Sequence, residues 1–337
     1  MQLLEEVRVT NKINSMVKAI KRLNIPGIFW GVIFLIVLFS ILHPGRFLSV
    51  INFTFIARSS AVLILAGIGM TCAILVSQVD LSIGSVMSLA GVIAAVLMTL
   101  GVPLALSIAI ALGAGVLVGL CNGVLIAVLK FDFWIVSFST MGVCAGLALV
   151  VASGATVPVR YVGFDFIGNR QFGPFHVMVY LTVVMVILMQ FILTRTKFGH
   201  KVYAIGGSEQ SAKLSGIPVV RNRVYIYMIS GFFAAMAGIV LASMGSAASP
   251  IAGVPYSFEA IAAVIIGGTT FDGGKGGLIG TVLGALLLRI LASGLNLMGT
   301  PATWQEVIIG FVILLVIVVD VLNRKRNKRN DLRRRYT

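Results

Sequence analysis

Residues 55–100 read FIARSSAVLILAGIGMTCAILVSQVDLSIGSVMSLAGVIAAVLMTL. Two apolar runs, Phe55–Val76 and Gly84–Leu100, are parted only by the polar break Ser77-Gln78-Val79-Asp80-Leu81-Ser82. A helix rises about 1.5 Å per residue, so runs of this length suit a hydrocarbon core about 30 Å thick. Barrel strands would alternate apolar and polar residues over about ten positions, and that alternation is absent here. In lipid the backbone must satisfy its own hydrogen bonds, which leaves the helix.

Working outward, the pattern repeats. Apolar runs centre on Ile28–Leu42, Phe55–Val76, Gly84–Leu100, Pro103–Leu129, Trp134–Ala152, Pro174–Leu193, Val224–Met244, Phe258–Thr270, Leu278–Met298 and Thr303–Leu322. The reading is an all-α integral membrane protein of about ten transmembrane helices. The run from Phe258 is short and ends in glycine, so some segments are expected to be broken or to cross incompletely. Of the 337 residues, 58% are hydrophobic and 11% charged. A soluble domain carries about 25% charged residues, so this chain has too few to cover itself for water.

The net charge is +15. Its distribution argues for membrane topology rather than nucleic-acid binding. With the N-terminus inside, the inner segments hold the basic residues of the head (Arg8 to Arg22), Lys130, the loop from Arg195 to Arg223, Lys275 and the tail from Arg324 to Arg335. Of the 26 Lys and Arg, only Arg46, Arg58, Arg160 and Arg170 fall outside, and Arg289 lies within a span. This asymmetry places both termini in the cytoplasm. It divides the chain into a basic head (1–24), a membrane domain (25–323) with a cytoplasmic loop at 194–223, and a basic tail (324–337) expected to rest on anionic lipid. The head shows no cleavable signal, so the first apolar run is expected to stay as an anchor.

Chemistry is sparse. Gly274-Lys275 is the nearest approach to a phosphate-binding loop, but Thr269 stands where the first glycine belongs and Gly276 where Ser or Thr belongs. No nucleophile–base pair or metal cluster is visible. Cys72, Cys121 and Cys144 sit in separate apolar runs, and His43, His176 and His200 lie far apart. Glycines four residues apart (Gly115, Gly119, Gly123; Gly276, Gly280, Gly284; Gly142, Gly146) predict close helix packing. Asp80 reads either as a cap for the following helix, a part Ser82 also fits, or as a pathway residue. The run Gly267-Gly268-Thr269-Thr270-Phe271-Asp272-Gly273-Gly274-Lys275-Gly276-Gly277 predicts a sharp cytoplasmic turn. In the long loop, Ser208 is a good N-cap, Glu209 suits the positive helix end, Gly216 supplies a stop, and Pro218 forbids continuation. A helix of about two turns is predicted, with Ala212 and Leu214 exposed to solvent or a partner. Alone it is marginal, so it needs something to lean on.

Several stretches together resemble the permeases of ABC-type monosaccharide importers, the ribose and related sugar class. They are Val79-Asp80-Leu81-Ser82-Ile83-Gly84-Ser85, Gly119-Leu120-Cys121-Asn122-Gly123, Thr196-Lys197-Phe198-Gly199 with Ala204-Ile205-Gly206-Gly207, Ser215-Gly216-Ile217, the run Ala260 to Thr269, and Gly276-Gly277. The resemblance runs from about Gly31 to Leu322. It implies a type II importer-like permease fold in the bacterial inner membrane, with two permease subunits flanking one pathway. It further implies a cytoplasmic ATPase that holds the ATP and Mg²⁺, and an extracytoplasmic sugar-binding protein. The chain itself is expected to bind no cofactor and no metal. The family's coupling helix maps onto Ser208–Ser215, so the ATPase-coupling residues are Gly206, Gly207, Ser208, Glu209, Gln210, Ser211, Ala212, Lys213, Leu214, Ser215 and Gly216. Asp80, Ser82, Asn122 and Glu259 are candidate polar positions near the pathway. The alternative reading of each is a cap or an interhelical hydrogen bond. Permeases for branched-chain amino acids or nucleosides share the architecture. An ion-coupled carrier is a further alternative, favoured only by a faint internal echo between Asp80–Gly91 and Asp272–Gly284.

Overall fold

The computed structural model describes residues 27–159, 161–301, 303–312, 314, 315 and 318. The basic head, the basic tail, Arg160 and most of the final span lie outside the described residues. The described part is mainly helical. In chain order the helices are α1 (Gly27–Leu42), α2 (Val50–Leu75), α3 (Ile83–Thr99), α4 (Leu104–Gly123), α5 (Phe133–Val151), α6 (Asp165–Gly168), α7 (Val177–Arg195), α8 (Lys197–Gly207), α9 (Glu209–Leu214), α10 (Val219–Gly245), α11 (Tyr256–Ile266) and α12 (Leu278–Leu297). Residues 303–312 are helical as well. α4 runs on into a π-helical turn, Val124–Val128.

Six of these are long and apolar enough to cross a membrane: α2, α4 with its extension, α5, α7, α10 and α12. Three more apolar helices, α1, α3 and α11, are shorter. The reading of about ten spans is met in part: six helices are long enough to cross, three apolar helices are shorter, and residues 303–312 begin a run whose remainder lies outside the described residues.

The short helices α3 and α11 have a common cause. α2 is apolar on every face and is buried without a break from Ser60 to Leu75, which makes it the central post. It ends beside α8, the helix that leads towards the start of α10, so α2 and α10 run antiparallel. After Leu75 the chain does not leave the core. It turns back, and α3 starts inside, running parallel to α10: Asp80 bonds Ser230, and further along Gly91 lies against Gly238. Ser230 lies less than halfway along the 27 residues of α10, roughly 17 Å from its start.

The second half mirrors the first. After α10 the chain dips inward, and α11 begins beside the start of α3 and runs the opposite way. At the junction the Gly84 N–H donates to Ser257 Oγ at 2.9 Å, and Ser257 Oγ donates to the Leu81 carbonyl at 2.8 Å. Gly253 N–H donates to Ser88 Oγ at 2.9 Å. A Cβ on Gly84 would overlap the Gly253 carbonyl, and one on Gly253 the Gly84 carbonyl. Only glycine at both positions lets the two helix starts meet. α4 packs on α10 as α12 packs on α2, and α3 packs on α10 as α11 packs on α2. Two inverted halves result. The echo read between Asp80–Gly91 and Asp272–Gly284 is therefore misregistered, because α3 corresponds to α11 and not to α12.

The glycine ladders divide. Gly115, Gly119 and Gly123 lie against Gly231, Tyr227 and Val224 of α10. Gly280 and Gly284 lie against Gly267 and Ala263. Gly276 instead occupies the turn at φ +114°, where its hydrogen-only side chain is needed. Gly142 and Gly146 face open space, so they make no helix packing among the described residues. On the face away from α9, the 154–173 loop holds a two-residue strand, β1 (Val157–Pro158), and a hairpin of β2 (Gln171–Phe172) with β3 (Phe175–His176). β1 pairs antiparallel with β4 (Ala247–Ala248) just after α10. Arg58 donates to Asn169 Oδ1 at 2.5 Å, tying this loop to α2.

Candidate functional site: a fastened helix and the broken core

The 194–223 loop folds into two helices where one was predicted. α8 begins at Thr196, whose Oγ1 accepts from the Gly199 N–H at 3.3 Å. Its three glycines hid it from a propensity reading. Its buried face, Val202 and Ile205, lies on the core. Ser208 then closes α8 and caps α9, its Oγ accepting from the Ser211 N–H at 3.2 Å. Gly216 at φ +76° ends the unit, as its position predicted.

α9 leans on α10. Glu209 bonds both Lys213 and Arg223, each at 2.6 Å. The Lys213 ammonium, then the Arg223 guanidinium, hold the Glu209 carboxyl below its ordinary range against the opposing cost of partial burial. Ala212 is not exposed as predicted. It is 3% accessible and faces inward, and its carbonyl accepts from the Ile217 N–H at 3.0 Å. The cause is that α9 packs on α8, which sets Ala212 into the main core cluster. Leu214 is 84% accessible, the apolar tip of the unit. Gln210, Ser211, Lys213, Ser215 and Gly216 share its exposure.

Behind α9, the end of α8 meets both broken halves. A Cβ on Gly206 would overlap the Leu75 carbonyl oxygen, at the end of α2, and the Gly274 nitrogen, in the glycine-rich turn. Gly274 N–H itself donates to the Leu75 carbonyl at 2.9 Å. Ser77 Oγ donates to the Asp272 carbonyl at 2.6 Å, and Tyr203 Oη donates to the Gly276 carbonyl at 3.0 Å. The segments leading into α3 and out of α11 are thus bonded to each other and seated on α8. Gly207, one residue on, faces open space.

Of the candidate pathway residues, three come together. Asp80 Oδ1 accepts from the Ser82 N–H at 3.0 Å and the Ser82 hydroxyl at 2.5 Å, and Oδ2 accepts from Ser230 at 2.7 Å. Asn122 Nδ2 donates to Ser82 Oγ at 3.1 Å, and Thr140 Oγ1 donates to Asn122 Oδ1 at 2.6 Å. Asp80, Ser82 and Asn122 are all buried. The network ties α3, α4, α5 and α10 at the level where α3 begins. Neither Asp80 nor Ser82 caps α3 as expected: Ser82 makes no capping bond, and the partner of the Gly84 N–H comes from α11. Ser230 and Thr140, absent from the predicted set, have no sequence signal because they join through the fold. Glu259 stands apart, in an ion pair with Arg289 of α12, whose guanidinium carbon lies 5.2 Å from the Tyr256 ring centre. Among the described residues no His, Cys, Asp and Glu cluster suits a metal ion.

The fold and this site define a multi-pass helical membrane protein with inverted halves and a braced helix on one face. Residues 52–317 match the family described as branched-chain amino acid transport system / permease component, and the chain belongs to that family. Its members are transport permeases, not enzymes. The chain is 36% identical over 309 residues to the ribose import permease protein RbsC of Bacillus subtilis, covering 89% of this chain and 95% of the relative. It is 36% identical over 296 residues to RbsC of Haemophilus influenzae, covering 87% and 91%. Against the D-allose transport system permease protein AlsC of Escherichia coli it is 34% identical over 307 residues, covering 89% and 92%. No solved structure matches the chain with significance.

Proposed function

We propose that this chain is the membrane permease of an ATP-binding-cassette importer and moves a monosaccharide delivered by an extracytoplasmic binding protein. The relatives support a sugar: their names specify ribose and allose, and a fructose import permease of Rhizobium meliloti is 33% identical. They favour this reading over amino acids, nucleosides or an ion-coupled carrier. The chain passes the inner membrane ten times, α3 and α11 each completing a pass that an irregular segment begins, with both termini in the cytoplasm. A second permease subunit completes the pathway, and ATP with Mg²⁺ belongs to the partner ATPase.

The observation that carries the mechanism is α9. A motor needs a rigid handle, and α9 offers exposed Leu214 on a helix fastened by Glu209 and Ala212. Displacement of α9 passes through α8 to Gly206, and from there to Leu75 and Gly274 together. Both inverted halves receive the push at one point, which suits a change from outward to inward access. Asp80, Ser82 and Asn122 hold the start of α3 in the closed core, and Glu259 with Arg289 holds the start of α11. The decisive experiment reconstitutes chain and ATPase in lipid nanodiscs and measures hydrolysis with the binding protein loaded in turn with ribose, allose and fructose. Stimulation by one loaded form supports the reading. Equal hydrolysis with and without any loaded binding protein overturns it.

A further inference from the structure

A groove beside the coupling unit shares Lys213 with it, but its other walls have no part in the mechanism above. The π-helical turn Val124–Val128 widens the end of α4, and α10 starts opposite it at Val219. Between them lies a space of about 560 Å³. Its walls are apolar, with Val124, Val128, Val220 and Val224 among them, while Lys213 and Arg221 supply its charge. No acidic side chain lines it. Arg221 Nε donates to Tyr225 Oη at 2.7 Å, and its guanidinium carbon lies 5.4 Å from the centre of that ring. The guanidinium is thereby held in place, yet it makes no ion pair among the described residues. Val124, Val128 and Val220 are 37%, 51% and 45% accessible, the first two on the largely exposed extension of α4 and the third at the start of the otherwise buried α10.

We infer that this groove binds one anionic phospholipid of the cytoplasmic leaflet, with the headgroup phosphate on Arg221 and Lys213 and an acyl chain along the valines. The depth fits. On the adjoining α4–α5 connection and the first turn of α5, Phe131 and Trp134 are exposed, the aromatic signature of the membrane–water boundary. The charge fits too, because basic pockets between helices on the cytoplasmic side recognise lipid phosphates. A free phosphate accounts for the cations but not for the valine walls. A protein partner is the less suitable occupant, since the exposed tip Leu214 lies outside this lining. Lys213 also bonds Glu209, so a headgroup here touches the brace of α9. The inference rests on the cytoplasmic placement of α9 proposed above, but its test requires no transport.

The test strips the purified full-length chain of lipid in detergent. It then measures retention of phosphatidylglycerol against phosphatidylcholine by native mass spectrometry, with inorganic phosphate as a third arm. Wild type retains phosphatidylglycerol preferentially. Arg221→Ala weakens that retention about five-fold, the share expected of one interfacial cation. Arg221→Lys keeps it, and Arg195→Ala, which removes an exposed cation away from the groove, leaves it unchanged. Equal retention of the two lipids, an Arg221→Ala variant identical to wild type, or full competition by phosphate alone overturns the inference. So does loss of the bound lipid when the ATPase docks, which assigns the groove to the protein partner.

Discussion

Replacing Gly206 by alanine adds one methyl group at the point where α8, α2 and the glycine-rich turn converge. An ideal Cβ there would stand 3.0 Å from the Leu75 carbonyl carbon and closer still to its oxygen and to the Gly274 nitrogen. These are main-chain atoms, which cannot rotate aside as a side chain would. Inserting one carbon into a packed site commonly costs 1–3 kcal/mol, and backbone neighbours put this site at the upper end, about 3 kcal/mol. Relief requires α8 to lift from Leu75 and the turn, which disconnects α9 from both broken halves. Gly207 is the internal control. Its added methyl meets nothing within 4 Å, and alanine in place of a helical glycine is favourable by up to about 1 kcal/mol. Any gain in helix propensity is common to both positions, so the same chemical change at adjacent residues should differ by about 3 kcal/mol. Both variants are made in nanodiscs with the ATPase, following thermal inactivation and hydrolysis stimulated by the loaded binding protein. Gly206→Ala is expected to insert, to inactivate at lower temperature and to lose stimulation, while Gly207→Ala matches or exceeds wild type. If Gly206→Ala is as stable and as well coupled as Gly207→Ala, the convergence point transmits nothing and the reasoning is refuted.

Further expectations follow from individual contacts. Leu214→Asp leaves insertion and the α9 brace intact but abolishes ATPase association, measured by co-purification, whereas Ala212→Asp disrupts the loop itself and shows as increased proteolysis there. Glu259→Ala strands the Arg289 guanidinium and lowers stability by about 3–5 kcal/mol, whereas the joint change to Glu259→Gln and Arg289→Met recovers most of it; a thermal series over the single and double variants checks this. The carboxyl of Glu209 is held below 4.5, so its contribution is fully present above that value and fades as pH falls through the lowered one. Protease sensitivity of the 208–216 segment should stay flat from pH 8 to 5 and rise only in stronger acid. In Glu209→Gln that acid dependence disappears, and the loss at neutral pH is slight, about 1 kcal/mol or less for a pair so exposed.

Features governed by neighbours in sequence were legible. Long apolar runs with few charges mark a membrane protein, because no fold exposes them to water. Ser208 and Gly216 marked both ends of α9 because caps are local. Gly115, Gly119 and Gly123 correctly announced a close contact, since spacing of four stacks them on one face. Features set by distant partners were not legible. Whether Ala212 faces in or out depends on how α9 packs on α8, and alanine suits either. The role of Asp80 depends on Ser230, 150 residues away. The short run from Phe258 pointed to an incomplete α11, but hydropathy gave no sign that α3 also starts partway through the core, and that depth follows from the meeting of Gly84 with Gly253. The pairing of Glu259 with Arg289 likewise joins two helices whose contact no spacing announces.

In the mechanism proposed above, a separate ATPase drives this chain through α9. Proteoliposomes holding the chain with its ATPase and binding protein test it, with labelled sugar uptake measured with and without ATP and with and without Leu214→Asp. Uptake is expected only with ATP, and none in the variant. Uptake by the chain alone along an ion gradient, unaffected by Leu214→Asp, would contradict it.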